Sequence, residues 1–409
     1  MRLLFSGTSL SLILLVSVFL TVFFLPGESF CQITLTGSGL SGNPKLCFRN
    51  IEGSEKEVNT KVFNTLWACG WFDLVSGTKS AEYIIDGKME NGNIVLSVKN
   101  GGEVEICKVR TKGTAPNAIY SAVDLILNKL FNIQGICQSR IAFSAETGRG
   151  KKEIYMCDID GSNIKKITSN GSLNIEASWH PSGKALLFNQ YLTASTPLVE
   201  YDIVRNRSRI LSGMRGLNSG KVSHNGKKIA LVVTLGNQVD LFVRDYEGGN
   251  IVRLTNDRAN EASPCWSPDD SKICFVSDKT GRPKLYIISA EGGKAERLKG
   301  TSGSECVAPA WNKNNLIAYT AKLGSYVLKV MDLNKIFPMT GTEENSVRPY
   351  ISENLSIQGE GASWAPDNRH IVLAVNGKIL VADTRTGKSR ILVHGKSSCT
   401  GAAWSPVLR

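Results

Sequence analysis

Four glutamates stand just upstream of tryptophans that recur along the chain. Glu176, Glu261, Glu305 and Glu360 precede Trp179, Trp266, Trp311 and Trp364 by three, five, six and four residues. Carboxylates gathered at one channel rim could hold a cation or receive the basic groups of a partner. Spread over separate loops, they are solvated charge. Histidine chemistry has less to work with. His180 and His224 fall in predicted turns, and neither His370 nor His394 has an evident sequence partner, so a histidine-assisted nucleophile is poorly supported. There is no G-x-S-x-G, H-E-x-x-H or P-loop. Asp269-Asp270 lacks the further oxygen ligands of a calcium loop, and the cysteine spacings match no zinc pattern. No catalytic residue, metal or cofactor is expected.

The elements that would position these carboxylates come from a repeat. The stretch "CWSPDDSKICFV" at Trp266 recurs as "SWHPSGKALLF" at Trp179, "KVSHNGKKIALV" at Val222, "AWNKNNLIAYT" at Trp311, "SWAPDNRHIVLAV" at Trp364 and "AWSPVLR" at Trp404. Successive anchors lie 43, 44, 45, 53 and 40 residues apart, the long step holding an insertion around "PMTGTEENSVRP". Four residues past the anchors stand Gly183, Gly226, Asp270, Asn315 and Asn368, residue types that tolerate the left-handed backbone of a tight turn. The strands that follow are apolar at adjacent positions, as at Ile273 to Val276, which suits sheets covered on both faces. Four short strands per unit predict a β-propeller. The unit from Arg140 lacks an anchor and the last unit, at Trp404, lacks its inner strands, so the C-terminal strand should complete the first blade and close a ring of six.

Residues 32–136 do not repeat. "SEKEVNTKVFNTLWACG" predicts a helix with a capping box at Ser54 and Glu57, a stripe of Val58, Val62, Phe63 and Leu66, and a stop at Gly70. A hairpin is expected around Glu90-Asn91-Gly92. A second helix carries Ile119, Val123, Ile126, Leu127 and Leu130 on one face. The expected organisation is a signal peptide over 1–31, a small α/β domain over 32–136 and a six-bladed propeller over 137–409, mainly β.

Arg2 followed by the apolar run Leu10 to Leu25 and then Pro26-Gly27 has the form of a secretory leader. The alternative, an uncleaved anchor, has a short run to work with. Export permits disulfides among the ten cysteines, most of which lie in strand-like runs as small hydrophobes. The net charge is +12; residues 32–136 carry 11 basic against 10 acidic side chains and residues 137–409 carry 36 against 25. The basic surplus therefore belongs to the propeller. Without a Lys/Arg run interleaved with aromatics, nucleic acid is not the expected partner; an acidic protein or an anionic envelope surface is.

"TNDRANEASPCWSPDDSKICFVSDKTGRPKLYIISAEGGKAERL" resembles a blade of the TolB family, periplasmic propellers of the bacterial Tol–Pal envelope system. "CGWFDLV" with "AEYIIDGKM" resembles that family's N-terminal domain. The resemblance implies a monomeric periplasmic scaffold, not an enzyme, supporting outer-membrane integrity and constriction at division. It implies binding of a Pal-like peptidoglycan-associated lipoprotein through one propeller face. By position that face holds Arg215, Asn218 and Ser219, and Asn260, Glu261, Ala262 and Ser263. It also implies a TolA-like inner-membrane partner for an N-terminal tail, Gln32, Ile33 and Thr34. The chain has "RGLNSGKV" with Gly216 where the family's stretch carries a histidine. The alternatives are a propeller hydrolase or lyase using the carboxylates in the central channel, or a polysaccharide-binding module.

Overall fold

The left-handed turns are where the repeat becomes architecture. Gly183, Gly226, Asp270, Asn315 and Asn368 all have positive φ, between 57° and 75°, and each closes a hairpin between an anchor-bearing strand and the next. In the computed structural model the described residues are 42–337, 348–351 and 357–407. The expected leader, the tail residues Gln32, Ile33 and Thr34, and residues 338–347 of the insertion lie outside them.

Among the described residues, four sheets have four strands each, in plain meander order. An eight-stranded sheet consists of two further four-stranded units, which meet through one parallel contact, Lys152 against Leu173. The C-terminal strand Thr400–Trp404 pairs antiparallel with Arg140–Gly148, Trp404 opposite Ile141, so the chain's end completes its first blade as expected. The Trp179, Trp266 and Trp364 indoles donate to Ala403 O, Lys221 O and Ala310 O at 3.1, 2.8 and 2.9 Å. Each acceptor is the residue before the preceding blade's anchor, so the tryptophan stitches one inner strand to its neighbour. Val222 has no such donor, and Trp311 bonds Asn315 Oδ1 instead, at 3.1 Å.

The N-terminal layer is a five-stranded sheet in the order Asp73–Leu74, Lys45–Glu52, Tyr83–Glu90, Asn93–Asn100, Glu105–Lys112, with two helices, α1 (Lys56–Ala68) and α2 (Pro116–Phe131). The predicted hairpin forms with Asn91 and Gly92 both at positive φ. Helix α2 buries Ile119, Val123, Ile126 and Leu127 as expected. Asp124 on the same face accepts from the Cys137 and Gln138 backbone N–H groups at 2.8 and 3.2 Å, fixing the link to the first blade.

Helix α1 departs from expectation at its start. The capping box does not form: α1 begins at Lys56, and Ser54 Oγ donates to Ile51 O while accepting from Asn59 Nδ2. Asn59 Oδ1 takes the Ile51 N–H at 2.7 Å, a competing local use of the same groups. Phe63, placed in the buried stripe, is 44% exposed, and Thr65 and Ala68 take buried positions instead. Gly70 does end the helix, at φ +71°.

One hydrophobic core runs from Leu46, Leu66 and Ile126 of the α/β layer to Ile141, Val372 and Trp404 of the first and last blades. Polar contacts reinforce it. Lys61 reaches Asp160 at 2.6 Å, Tyr120 donates to Asp158 at 2.8 Å, and Lys388 holds Asp73 at 2.7 Å.

Candidate functional site

The inner strands line a central channel of about 1230 Å³. Its wall owes its shape to a bulge repeated at one position. Three residues before the anchor, Glu176, Ser263, Ala308, Gly361 and Gly401 have φ between 48° and 69°. At each, two residues oppose one on the next strand, the arrangement of a β-bulge that bends and re-aims a strand. The single opposing residues are Phe188, Phe275, Tyr319, Leu373 and Phe143, all buried. Large side chains thus fill the blade interior behind each bulge, while small residues face the lumen. The third blade differs: Asn218 alone is skipped, and its amide donates to Thr234 Oγ1 at 2.9 Å. Sequence reasoning missed this feature. The available signal was a run of small residues and prolines, such as Ser263-Pro264 and Ala308-Pro309.

The four glutamates do not converge. Glu176 and Glu360 line the channel, within or at the start of inner strands rather than in entry loops. Glu305 is tied down by Lys322 Nζ and the Tyr326 hydroxyl, both at 2.9 Å, and these bonds hold its carboxyl below the usual range. Glu261 is neither a rim charge nor an accessible partner contact. It starts the strand Glu261–Trp266, is 3% exposed, and its Oε2 has no hydrogen-bond partner among the described residues. Burial, helped by Asp257 and Asp240, pushes its pKa up to about 7 against a hydrogen bond from Ser277. The expected carboxylate ring is therefore corrected to two lumen glutamates, one half-buried glutamate paired with Lys322 and Tyr326, and one buried acid.

The remaining sequence candidates lie in or just before two inner strands, and Ser219 and Ser263 line the channel. Arg215, Asn260 and Ala262 are exposed, Asn218 and Ser219 half-buried, and Ser263 sits at its bulge. Asn260 is held in place by Asp278, which accepts from its backbone N–H at 2.8 Å and its amide at 2.9 Å. Gly216, at φ +81°, would press a Cβ against Thr234 O at 2.2 Å. The position that departs from the family pattern thus accepts only glycine in this backbone.

His370, which had no evident sequence partner, has a structural one. Its Nδ1 lies 2.7 Å from Asp367 Oδ2 in a fully buried pair, and Trp71 Nε1 donates to the same oxygen at 3.0 Å. Arg369 forks onto Asp383 at 2.9 and 2.6 Å and stacks 4.3 Å from the Trp71 ring. Burial works against the Asp383 anion, but Arg369 holds its pKa down at about 2. These residues latch the last blade to the α/β layer. Among the described residues no cluster of His, Cys, Asp and Glu could hold a metal, and no helix is long and apolar enough to cross a membrane.

The model of the TolB β-propeller domain matches residues 127–408. The Tol-Pal system protein TolB of Anaeromyxobacter dehalogenans (strain 2CP-C) is 31% identical over 181 residues, 44% of this chain and 42% of that protein. The same protein from Anaeromyxobacter sp. (strain K) is 31% identical over 173 residues, 42% of this chain and 40% of that one. The chain thus aligns with less than half the length of these relatives. The crystal structure of TolB from Acinetobacter baumannii superposes with a TM-score of 0.76 at 17% identity, covering 89% of this chain and 97% of that one, a likeness of fold. The extent of the propeller match places this chain in the TolB β-propeller family.

Proposed function

We propose that this chain is a non-catalytic docking component of a Tol–Pal envelope system, exported to the periplasm and acting as a monomer. Its ring receives a folded, Pal-like peptidoglycan-associated lipoprotein. Its N-terminal tail, Gln32 to Thr34, engages a TolA-like inner-membrane partner, and the linkage supports the outer membrane during constriction.

One observation carries this reading: the two ends of the ring are used differently. In an antiparallel four-stranded blade, the first and third turns share one end and the second hairpin takes the other. The α/β layer occupies the first end through Asp160, Asp367, Arg369 and Lys388. The opposite end carries exposed apolar side chains at the second hairpins, Leu192, Leu235 and Leu323. Arg149, Arg215, Lys279, Arg282 and Lys378 are exposed at the same end. Apolar tips among cations suit a partially acidic protein surface, and Arg215, Asn260 and Ala262 lie on that end. Among the described residues lining the channel, Glu176 and Glu360 are the carboxylates and His224 the imidazole, and on this reading they are assigned no catalysis.

The test is direct binding of the soluble domain of a Pal-like peptidoglycan-associated lipoprotein from the same organism, with the double variant Arg215→Glu and Leu235→Asp as control. Binding by the parent and a loss of tenfold or more in the variant are expected. Absence of binding by the parent, or equal binding by both, overturns the reading.

A further inference from the structure

The nine described cysteines are all free thiols. Among the described strand pairings, one sets a cysteine directly opposite another: Cys265 on Glu261–Trp266 faces Cys274 on Lys272–Ser277. Directly opposed residues of an antiparallel pair project to the same face with Cα atoms about 4.5–5.5 Å apart. A disulfide spans about 4.4–6.8 Å between Cα atoms, so neither strand has to move. The neighbouring Cys265 thiol, together with burial, raises the pKa of Cys274. The two sulfurs differ in access. Cys265 is half-buried and lines the central channel, whereas Cys274 is fully buried in the blade.

We propose that Cys265 and Cys274 form a thiol–disulfide site addressed through the channel by a low-molecular-weight disulfide. The Cys265 thiolate attacks one sulfur of that disulfide, forming a mixed disulfide and expelling the first small thiolate. Cys274 then gives up its proton, attacks Cys265 Sγ and expels the second thiolate. Two protein thiols are oxidised by two electrons, the small disulfide is reduced to two thiols, and the two protons leave with them. The outcome is a staple across the fourth blade at the point where its ladder resumes after the Ser263-Pro264 bulge. It ties the inner strand bearing Glu261 to Ser263 to the strand behind it. This inference rests on the chain's own pairing register and is independent of the partner proposed above.

The experiment incubates the intact chain with oxidised glutathione, blocks free thiols under denaturing conditions and maps the unreduced peptides. A peptide joining Cys265 to Cys274 is expected, with two fewer titratable thiols per chain. In C274A the second step is removed, so one glutathione should remain on Cys265; in C265A the buried Cys274 should stay unmodified in the folded protein. Failure to find the Cys265–Cys274 peptide in the parent chain, or pairing of Cys265 with another cysteine, overturns the proposal whether or not either variant folds.

Discussion

The turn after Trp266 and the turn after Trp364, "SPDDSK" and "APDNRH", share their Pro-Asp pair and the same backbone, with Asp270 at φ 60° and Asn368 at φ 57°. Both also stitch to the preceding blade. Asp270 accepts from the His224 and Asn225 N–H groups at 2.6 and 2.8 Å, and Asn368 Oδ1 accepts from Lys313 N at 3.2 Å. Their aspartates part company one residue earlier. Asp269 is exposed and answers only to Ser267 and Ser271, whose hydrogen bonds lower its pKa to about 2. Asp367 is fully buried; burial opposes its ionisation, but attraction to His370 and hydrogen bonds from His370 and Arg369 outweigh it and hold the carboxyl below its ordinary range. The same local device serves as a plain turn in the fourth blade and as an anchor for a second layer in the last. What differs is not the turn but what lies over it.

That contrast can be broken most severely in the last blade. Asp367→Ala leaves His370 and the Trp71 N–H without an acceptor in a dry site. It should cost about 3–5 kcal/mol of unfolding free energy, measured by urea denaturation, and Asp269→Ala in the same assay should cost under about 1 kcal/mol. Equal losses would mean that the α/β layer adds nothing to the turn.

A second test uses pH, because the two blades should respond with opposite sign. Asp383 has its pKa depressed in the folded state, so its contribution is present above the unfolded value near 4 and is lost as pH falls through about 2. Glu261 is raised to about 7. It binds its proton more tightly when folded, so its contribution is full at low pH and is lost as pH rises from about 4.5 through 7. The loss is on the order of 3 kcal/mol. Glu261→Gln should remove this alkaline loss, giving a variant more stable than the parent at pH 8 and little changed at pH 4.

Gly70→Ala probes the latch from the α/β side. The glycine combines φ +71° with space for a Cβ only 2.6 Å from His370 Nε2. A loss of about 1–3 kcal/mol is expected from strain and displacement of the imidazole. A small effect, between those of Gly70→Ala and Asp269→Ala, belongs to Asp270→Ala, which removes a half-buried acceptor of two backbone N–H groups and should cost about 1 kcal/mol. A loss there as large as at Asp367 would erase the ranking of the two turns.

Much of the scaffold was legible. The anchors, the left-handed residue four positions on, the hairpin at Asn91-Gly92 and the closing strand at Thr400 all follow from periodicity and turn chemistry. The candidate site was less so. Glu176, Glu261, Glu305 and Glu360 look alike in sequence, since each is an acid shortly before a tryptophan. Their offsets of three to six residues place Glu176 at a bulge, Glu360 at the start of an inner strand on the lumen, Glu305 beside Lys322 and Tyr326, and Glu261 inside the blade.

The sequence by itself determined what is decided within a few residues: where the backbone must turn left-handed, which strands are covered on both faces, and that the final strand has a blade to complete. These depend on local sterics and on alternation of apolar side chains, which one segment carries whole. The tertiary structure alone decided the latch of Trp71, Asp367, Arg369 and His370, the burial of Glu261, and the meeting of Cys265 with Cys274. Each of those depends on register across strands or on which blade the α/β layer covers, and the energy of a buried charge or a paired thiol is set by neighbours that the local sequence does not name.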